Sequence, residues 1–161
     1  MITKLSIEQA AYLAGFVDAD GSILAQIVRR KDYVLKFQIR VSVLCIQKMS
    51  HIHHLRKFKS EIGKGTSRDR GDGIAEFAIV GHKNVSAFLK QILPYLRTKQ
   101  KQGNLVIRIC EQLDQTKNDP QKFLHLCELA DRVAKLNDSK KRINTVQTVE
   151  KHFLDVGLIK K

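Results

Sequence analysis

The sequence predicts an α+β fold with the order αββαββα, in which helices cover one face of an antiparallel sheet and additional helices follow at the C-terminus. Three observations support this prediction: an apolar helix with a marked start and end, two stretches of period-two alternation, and helical patterns between and after them. The 161 residues and 43% hydrophobic content fit a single domain over 1–161. Its core is expected over about 7–145, with a C-terminal helix and tail over 146–161.

The first helix is predicted between Ile7 and Gly21. Ser6 is a good N-cap, and Gln9 stands where a capping box requires it. Gly21 is expected to end the helix in a left-handed conformation, which costs glycine nothing. One helix face should carry almost no side-chain bulk, so a second backbone could approach it closely. Its small residues are spaced by four: Ala11, Gly15 and Ala19.

Two hairpins are predicted from alternation. From Ile23 to Ile46 apolar residues stand at odd positions and polar or basic residues at even positions, with the strands joined through Lys31 to Tyr33. A second pair begins near Thr66, turns at Gly71 to Gly73 and returns through Ile79. The sheet should bury its odd-numbered face. The other face is expected to expose mainly basic and amide side chains: Gln26, Arg30, Lys36, Gln38, Arg40, Arg68 and Arg70.

Helical patterns are predicted over 48–62, 82–96, 99–113, 120–136 and 146–154. The three cysteines stand in apolar surroundings and form no C-x-x-C pair, so they are interpreted as small core residues and not as a disulfide framework or zinc site. They are Cys45, Cys110 and Cys127. The His51, His53 and His54 cluster is interpreted as a solvated helix face, with His51 alone kept as a candidate site residue.

The charge balance favours an anionic polymer as partner. Lys and Arg total 29 against 16 Asp and Glu, a formal net charge of +13. Charge alone does not separate DNA from RNA or a membrane surface, but Arg and Gln on a sheet face can read guanine and adenine edges in a major groove. No stretch approaches the roughly 18 apolar residues of a membrane span. The N-terminus has no signal-peptide or transit pattern, so the protein is expected to act where it is made.

Asp20 is the first candidate site residue. It falls at the negative end of the predicted helix, where the macrodipole disfavours a carboxylate by roughly 0.3–1 kcal/mol. If two such helices pack as a symmetric pair, two Asp20 carboxylates approach each other, and their repulsion favours divalent cations between them. Oxygen ligands from few protein groups suit Mg²⁺. The alternative is that Asp18 and Asp20 are ordinary turn residues after a helix.

The run from Leu13 to Ser22, LAGFVDADGS, resembles the signature of the LAGLIDADG homing endonucleases. The resemblance extends from residue 7 to about 145 and is to the single-motif, homodimeric branch encoded in chloroplast group I introns. Its further marks are Ile46–Lys48, Glu61–Gly63, Arg68–Gly71, Pro94–Gln102 and Leu136–Lys140.

The resemblance implies a DNA endonuclease that cuts both strands across the minor groove with divalent metal, leaving 3′ overhangs and starting intron homing in the chloroplast. It implies Mg²⁺, with Mn²⁺ able to substitute, held by Asp20 and the Ala19 carbonyl. Gln47 and Lys99 would hold the water network and stabilise charge on the scissile phosphate. His51 stands where close relatives tend to carry Arg, so its role is open.

The resemblance also implies the DNA contacts. Base readout would fall to Gln26, Arg30, Tyr33, Gln38, Arg40, Arg68, Arg70 and Glu76, with Val28, Leu44 and Ala78 as apolar neighbours. Lys117, Lys140 and Arg142 would bind backbone phosphates. Because the chain carries one motif and a double-strand cut needs two metal carboxylates, a homodimer through the small-residue face is expected, with double-stranded DNA as partner and a pseudo-palindromic site of about 20 bp.

Two other functions remain alternatives. The first is a maturase that binds the RNA of its own intron, and the second is a sequence-specific DNA-binding regulator that has lost cleavage. Neither RNA binding nor DNA binding without cleavage requires a carboxylate together with a glutamine and a lysine at the spacing of the family's site. The joint presence of Asp20, Gln47 and Lys99 therefore favours the endonuclease.

Overall fold

The computed structural model describes residues 1–139 and 141–160. Its elements follow the predicted order of a helix, two strands, a helix, two strands and then helices. The elements are α1 (Ile7–Asp20), β1 (Gly21–Arg29), β2 (Phe37–Lys48), α2 (Ile52–Ile62), β3 (Thr66–Asp69), β4 (Ile74–Val80), α3 (His82–Ile92), α4 (Gln100–Gln112), α5 (Pro120–Leu136) and α6 (Val146–Asp155). Lys140, which was expected to bind phosphate, lies outside the described residues.

The strands form an antiparallel sheet in the order β1-β2-β4-β3. β1 pairs with β2 along its whole length, from Gly21 opposite Cys45 to Arg29 opposite Phe37. β4 pairs with the second half of β2, starting where Ser42 faces Val80. This order leaves β1 and β3 at the two edges of the sheet.

The predicted burial pattern of the sheet is confirmed on its odd-numbered face. Ile23, Ile39 and Val43 are at most 3% exposed and belong to a hydrophobic core that extends from Leu5 to Phe153. The even-numbered face is more open, but two of its polar residues are covered. Those residues are Ser42, 5% exposed, and Glu76, 8% exposed.

The three cysteines are buried and free, as predicted. Burial raises the pKa of the Cys110 thiol to about 12. Burial also raises the pKa of Cys127 far above its usual value. These thiols are therefore protonated at neutral pH, and they act as small apolar residues of the core. No helix in the described part of the chain is both long and apolar enough to cross a lipid bilayer.

Several predicted boundaries were wrong by a few residues. The strands of the first hairpin are joined by residues 30–36, a longer connection than Lys31 to Tyr33, because Leu35 is buried within the turn and not in β2. Arg70 follows β3 instead of lying within it. Short 3₁₀ turns take the first or last residues of three predicted helices. They are Met49–His51, Leu93–Tyr95 and Leu113–Thr116.

Candidate functional site

Helix α1 ends at the junction with the sheet, and this junction positions Asp20. The predicted capping box is present: the Ser6 hydroxyl accepts from the Gln9 backbone at 3.2 Å, and the Gln9 side chain accepts from the Ser6 backbone at 2.9 Å. The left-handed conformation expected at Gly21 was wrong, since its φ of −103° and ψ of 169° are extended. Gly21 is instead required by space. A Cβ there would lie 2.7 Å from the Val17 Cα and 3.2 Å from the Leu44 carbonyl oxygen.

Asp20 is exposed and is held by the end of β2. Gln47 donates from Nε2 to Oδ2 of Asp20 at 2.8 Å. The other end of the same amide meets a third side chain, because Nδ1 of His51 lies 3.4 Å from Oε1 of Gln47. The three predicted site residues thus form one chain of hydrogen bonds.

Lys99 approaches the same region from the start of α4. Its ammonium donates to the main-chain carbonyl of Asp18 at 2.5 Å, and its backbone N–H donates to the Asp18 carboxylate at 3.0 Å. The pKa of the nearby Cys45 thiol is raised to about 12, mainly by burial and to a smaller extent by the negative charge of Asp20. The positive charge of Lys99 acts in the opposite direction and lowers this pKa. Both charges therefore lie close enough to Cys45 to act on it.

Asp18 is a residue of this site whose role was not predicted from the sequence. Its carboxylate accepts from the backbone N–H of Arg97 at 2.7 Å and from the Thr98 hydroxyl at 3.0 Å. Partial burial acts to raise the pKa of Asp18, but hydrogen bonds from Arg97, Lys99 and Thr98 outweigh it and hold the pKa below its usual value. Asp18 thus fixes the segment that carries Lys99 to the last turn of α1.

The donor set at the end of α1 suits a hard divalent cation. Asp20 has an Oδ1 atom beyond the Gln47 contact, and Ala19 supplies a carbonyl from the last turn of an exposed helix end. No cation of residues 1–139 or 141–160 forms a salt bridge with Asp20. Within the same residues, no three His, Cys, Asp or Glu side chains are grouped as a metal site. Further ligands would have to come from water, phosphate or a second copy of the chain.

The even-numbered face of β1 and β2 begins beside this site. On it, Arg40 donates from Nη2 to Oε1 of Gln26 at 3.2 Å. Farther from Asp20, Arg30 makes two hydrogen bonds to Asp32, at 2.8 and 3.0 Å, and one to Gln38 at 3.3 Å. The guanidinium of Arg30 also lies 5.1 Å from the Tyr33 ring centre.

The second hairpin presents two more arginines, each paired with an acid. Arg68 contacts the Glu76 carboxylate through Nε at 2.9 Å and Nη2 at 2.8 Å, and Glu76 is 11% exposed at its side chain. Arg70 pairs with Asp72 at 3.1 Å. Three apolar candidates on the even-numbered face of the sheet are half-buried. They are Val28, Leu44 and Ala78.

The two described phosphate candidates are also paired. Lys117 lies 3.0 Å from Asp114, and Arg142 lies 2.5 Å from Asp131. The Arg142 side chain is 22% exposed, against 69% for Lys117. Lys117 is thus open to solvent, whereas Arg142 is held against α5.

The small-residue face of α1 is open. Ala11, Gly15 and Ala19 are all exposed, and Tyr12 beside them is 59% exposed. A Cβ added to Gly15 would meet nothing within 4 Å. A glycine inside a helix costs roughly 0.5–1 kcal/mol relative to alanine, and no contact with residues 1–139 or 141–160 requires a glycine here.

Comparison with known proteins finds a matching family model and two DNA endonucleases of similar sequence. A family model described as LAGLIDADG endonuclease matches residues 13–111. DNA endonuclease I-CreI of Chlamydomonas reinhardtii is 45% identical over 149 residues, which cover 92% of this chain and 91% of that protein. DNA endonuclease I-CvuI of Chlorella vulgaris is 43% identical over 147 residues, covering 91% of each.

Solved structures agree with the sequence relatives. The crystal structure of I-CvuI in complex with its target in the presence of Ca is similar with a TM-score of 0.91 and 41% identity, covering 95% of this chain and 97% of that one. The archaeal intron-encoded endonuclease I-Vdi141I shares the fold with a TM-score of 0.81 at 17% identity. The chain belongs to the LAGLIDADG endonuclease family.

Proposed function

We propose that this chain is a site-specific DNA endonuclease. It acts as a homodimer, hydrolyses one phosphodiester bond in each strand of a long pseudo-palindromic site and leaves 3′ overhangs. The hydrogen bond between Gln47 and Asp20 carries the proposal, because it holds an exposed carboxylate where α1 meets the polar face of the sheet. The biological role would be to start the homing of the intron that encodes the chain, in the chloroplast.

Asp20 and the Ala19 carbonyl would hold Mg²⁺, for which Mn²⁺ would substitute. The cation would lower the pKa of the attacking water and neutralise negative charge on the phosphate. Gln47 occupies one carboxylate oxygen of Asp20 and fixes its orientation. His51 meets the opposite end of that amide and would keep its N–H side turned to Asp20. Lys99 would stabilise the charge that develops on the scissile phosphate.

The even-numbered face of the sheet would read the DNA. Gln26, Gln38 and Arg40 lie on the β1–β2 hairpin and offer amide and guanidinium groups for base edges. Arg68 and Glu76 form a fixed pair of donor and acceptor on the second hairpin. Arg30, Tyr33 and Arg70 would extend the contact at the hairpin ends, and Lys117 would bind a phosphate.

The homodimer is proposed from the exposed face of α1. Its small residues permit two helices to pack closely, and a two-fold axis there would bring the two Asp20 carboxylates together. Two copies of the sheet face would then read two half-sites. A double-strand break needs this arrangement, because one chain supplies one such carboxylate.

The test is cleavage of a DNA pool made by partly randomising the target on which I-CvuI was crystallised. We expect sequenced products with 3′ overhangs in Mg²⁺ or Mn²⁺, and binding without cleavage for Asp20→Asn. Binding without cleavage by the unaltered chain in either metal would favour the regulator. Tight binding to intron RNA with no DNA binding would favour the maturase.

A further inference from the structure

A second basic surface lies on α2 and the residues that follow it. Residues 56–64 carry four cations and a single acid, Glu61. All four cations are exposed to solvent. They are Arg56, Lys57, Lys59 and Lys64, and we name them the α2 basic surface.

The α2 basic surface does not belong to the face of the sheet that is proposed to read DNA. The buried side chains of α2 are at most 3% exposed: Leu55, Phe58 and Ile62. The ring centre of Phe58 lies 6.1 Å from that of Phe77, which stands on the odd-numbered face of β4. α2 therefore packs on the odd-numbered face of the sheet. At 3.6 residues per turn, Arg56 and Lys57 stand on the opposite side of this helix, away from the sheet.

The charge of the α2 basic surface is hardly neutralised by the chain itself. Among the salt bridges of residues 1–139 and 141–160, one involves this surface, between Lys57 and Glu61 at 3.8 Å. Arg56 and Lys59 stand three residues apart on the helix, and like charges at this spacing destabilise it. By contrast, Arg68 on the even-numbered face is held by its acid at 2.8 Å. The α2 basic surface is thus left to attract an external anion.

The side chains of this surface favour the backbone of a nucleic acid duplex as the partner. Lysine and arginine bind phosphates at any sequence, because these contacts carry no information about the bases. No Phe, Tyr or Trp of α2 is exposed, so the helix has none of these rings on which single-stranded bases could stack. None of its apolar side chains is exposed either, and an interfacial membrane helix would need such a face.

We propose that the α2 basic surface binds the phosphate backbone of a second DNA duplex, independently of its sequence, while the even-numbered face of the sheet holds the first. The statement about the first duplex rests on the proposed function. A protein that holds two duplexes at once could pass from one DNA segment to another while it searches for its site. The surface would thus serve the search for DNA and not the reading or cleavage of the target.

The first test asks whether the protein captures a second duplex. An Asp20→Asn protein, expected to bind its site without cleavage, is loaded onto a bead-bound site recovered from the randomised pool. A fluorescent duplex of unrelated sequence is then added at several salt concentrations. We expect capture of this duplex. Combining Arg56→Gln, Lys57→Gln and Lys59→Gln in one variant should reduce the slope of log affinity against log salt by about 3, because three phosphate contacts are lost.

The matched control removes the same number of positive charges elsewhere. It combines Lys122→Gln, Lys135→Gln and Lys151→Gln, which are exposed on α5 and α6. Capture of the second duplex should be unchanged in this control. Equal losses in the two variants would show an effect of net charge alone, and capture that survives the α2 changes would place the contact elsewhere. Either result would overturn the proposal.

Competition with RNA distinguishes the two kinds of nucleic acid. Single-stranded RNA of the same length should displace the fluorescent duplex less well than unlabelled duplex DNA does. Stronger displacement by RNA would overturn the proposal and assign the α2 basic surface to RNA.

The number of duplexes bound per chain gives a readout that does not require cleavage. Mass photometry with a random-sequence duplex should find fewer duplexes on the α2 variant than on the control variant. If the pool yielded no cleaved site, the proposed function would fail, while this difference would still report binding by α2, and its absence would overturn the proposal. The α2 variant should unfold at a temperature no lower than the unaltered chain, because it removes repulsion between like charges. A lost duplex would then not be a consequence of unfolding.

Discussion

Gln47 and Asp20 are joined by a hydrogen bond of 2.8 Å between the amide Nε2 and the carboxylate Oδ2. It connects the last residue of α1 with the end of β2, which are adjacent because Gly21 pairs opposite Cys45. Gln47 holds the Oδ2 atom of Asp20, and this contact also fixes the direction in which Oδ1 points. The orientation of Asp20 is therefore set by the fold before any cation or DNA binds.

Removing this amide should affect turnover more than DNA binding. Gln47→Ala is expected to lower kcat for DNA cleavage by roughly 10–100-fold, the usual effect of losing a group that orients a metal ligand. The dissociation constant for DNA should change little, because Gln47 is bonded to Asp20 and does not lie on the even-numbered face that is proposed to read DNA. Single-turnover cleavage and equilibrium binding measure the two quantities.

The matched control is Gln26→Ala, the same substitution on the even-numbered face. It should weaken DNA binding and leave kcat at saturating DNA unchanged, because Gln26 bonds to Arg40 on the face that is proposed to read DNA. A Gln47→Ala enzyme that cleaves at the unaltered rate would remove the orienting role of Gln47.

His51→Arg should change the pH dependence of cleavage. Imidazole changes its charge between about pH 5 and 8, whereas guanidinium stays charged throughout that range. Nδ1 of His51 lies 3.4 Å from Oε1 of Gln47, so replacing this imidazole acts on the amide that orients Asp20. The profile of the variant should be flatter over that range. Single-turnover rates measured across it give the comparison.

His54→Arg is the control for this experiment, because it makes the same substitution at a neighbouring histidine. The ring centre of His54 lies 6.1 Å from that of His51. Its pH profile should match that of the unaltered chain. If the profile of His51→Arg also matches, His51 has no part in the site.

Asp18→Asn should destabilise the fold at neutral pH. The carboxylate accepts hydrogen bonds from Arg97, Thr98 and Lys99. Asparagine keeps one acceptor oxygen but loses the other and the charge, and weakening these charge-assisted bonds should cost about 1–2 kcal/mol. Because the pKa of Asp18 is below its unfolded value of about 3.9, its contribution is complete above that pH and is lost as pH falls through the folded pKa.

The measurement is urea unfolding of both proteins at several pH values. The difference in the free energy of unfolding should be largest above about pH 5 and should shrink under more acidic conditions. Asp155→Asn, at the exposed end of α6, is the control and should show no such pH-dependent difference. A difference that stays constant down to the acid limit would contradict the assigned role of the Asp18 charge.

The sequence predicted the parts of this fold that depend on local patterns. The capping box of Ser6 and Gln9 is formed by residues of one turn, and the alternation of the hairpins follows from the geometry of a half-buried strand. The end of the first hairpin was missed because Leu35 continues the apolar alternation and is buried, but Lys36 takes a φ of 60° and breaks the strand before Phe37.

Local sequence patterns could not predict the contacts between residues that are far apart in the chain. Asp18 was weighed as a turn residue, yet its partners are Arg97 to Lys99, on a segment that only the tertiary fold brings to α1. Two asparagine contacts were missed for the same reason: Asn137 donates to the carbonyl of Ile23 and Asn144 to that of Ile27, both on the edge strand β1. The one available signal was that a polar amide next to an edge strand can satisfy its carbonyls.

Gly21→Ala should be strongly destabilising for a steric reason. The backbone of Gly21 is extended, so alanine could adopt its dihedral angles, but a Cβ would lie 2.7 Å from the Cα of Val17 and 2.9 Å from its carbonyl oxygen. Both contacts are with backbone, which cannot turn aside, so the loss should be about 1–3 kcal/mol. Thermal unfolding measures it, with the exposed neighbour Ser22→Ala as control. Equal stability of the two variants would show that the junction relaxes freely.

Gly15→Leu should separate folding of the chain from its association. A Cβ at Gly15 would meet nothing within 4 Å, and leucine favours a helix more than glycine, so the helix should form and the monomer should still fold. In the proposed dimer two such side chains would stand between helices packed through small residues, and close approach would be blocked. Analytical ultracentrifugation should therefore show monomers for Gly15→Leu and dimers for the unaltered chain. Gln121→Leu, exposed on α5, is the control and should stay dimeric. A dimeric Gly15→Leu protein that still makes double-strand breaks would place the interface on another surface, since two Asp20 carboxylates could then meet without this helix face.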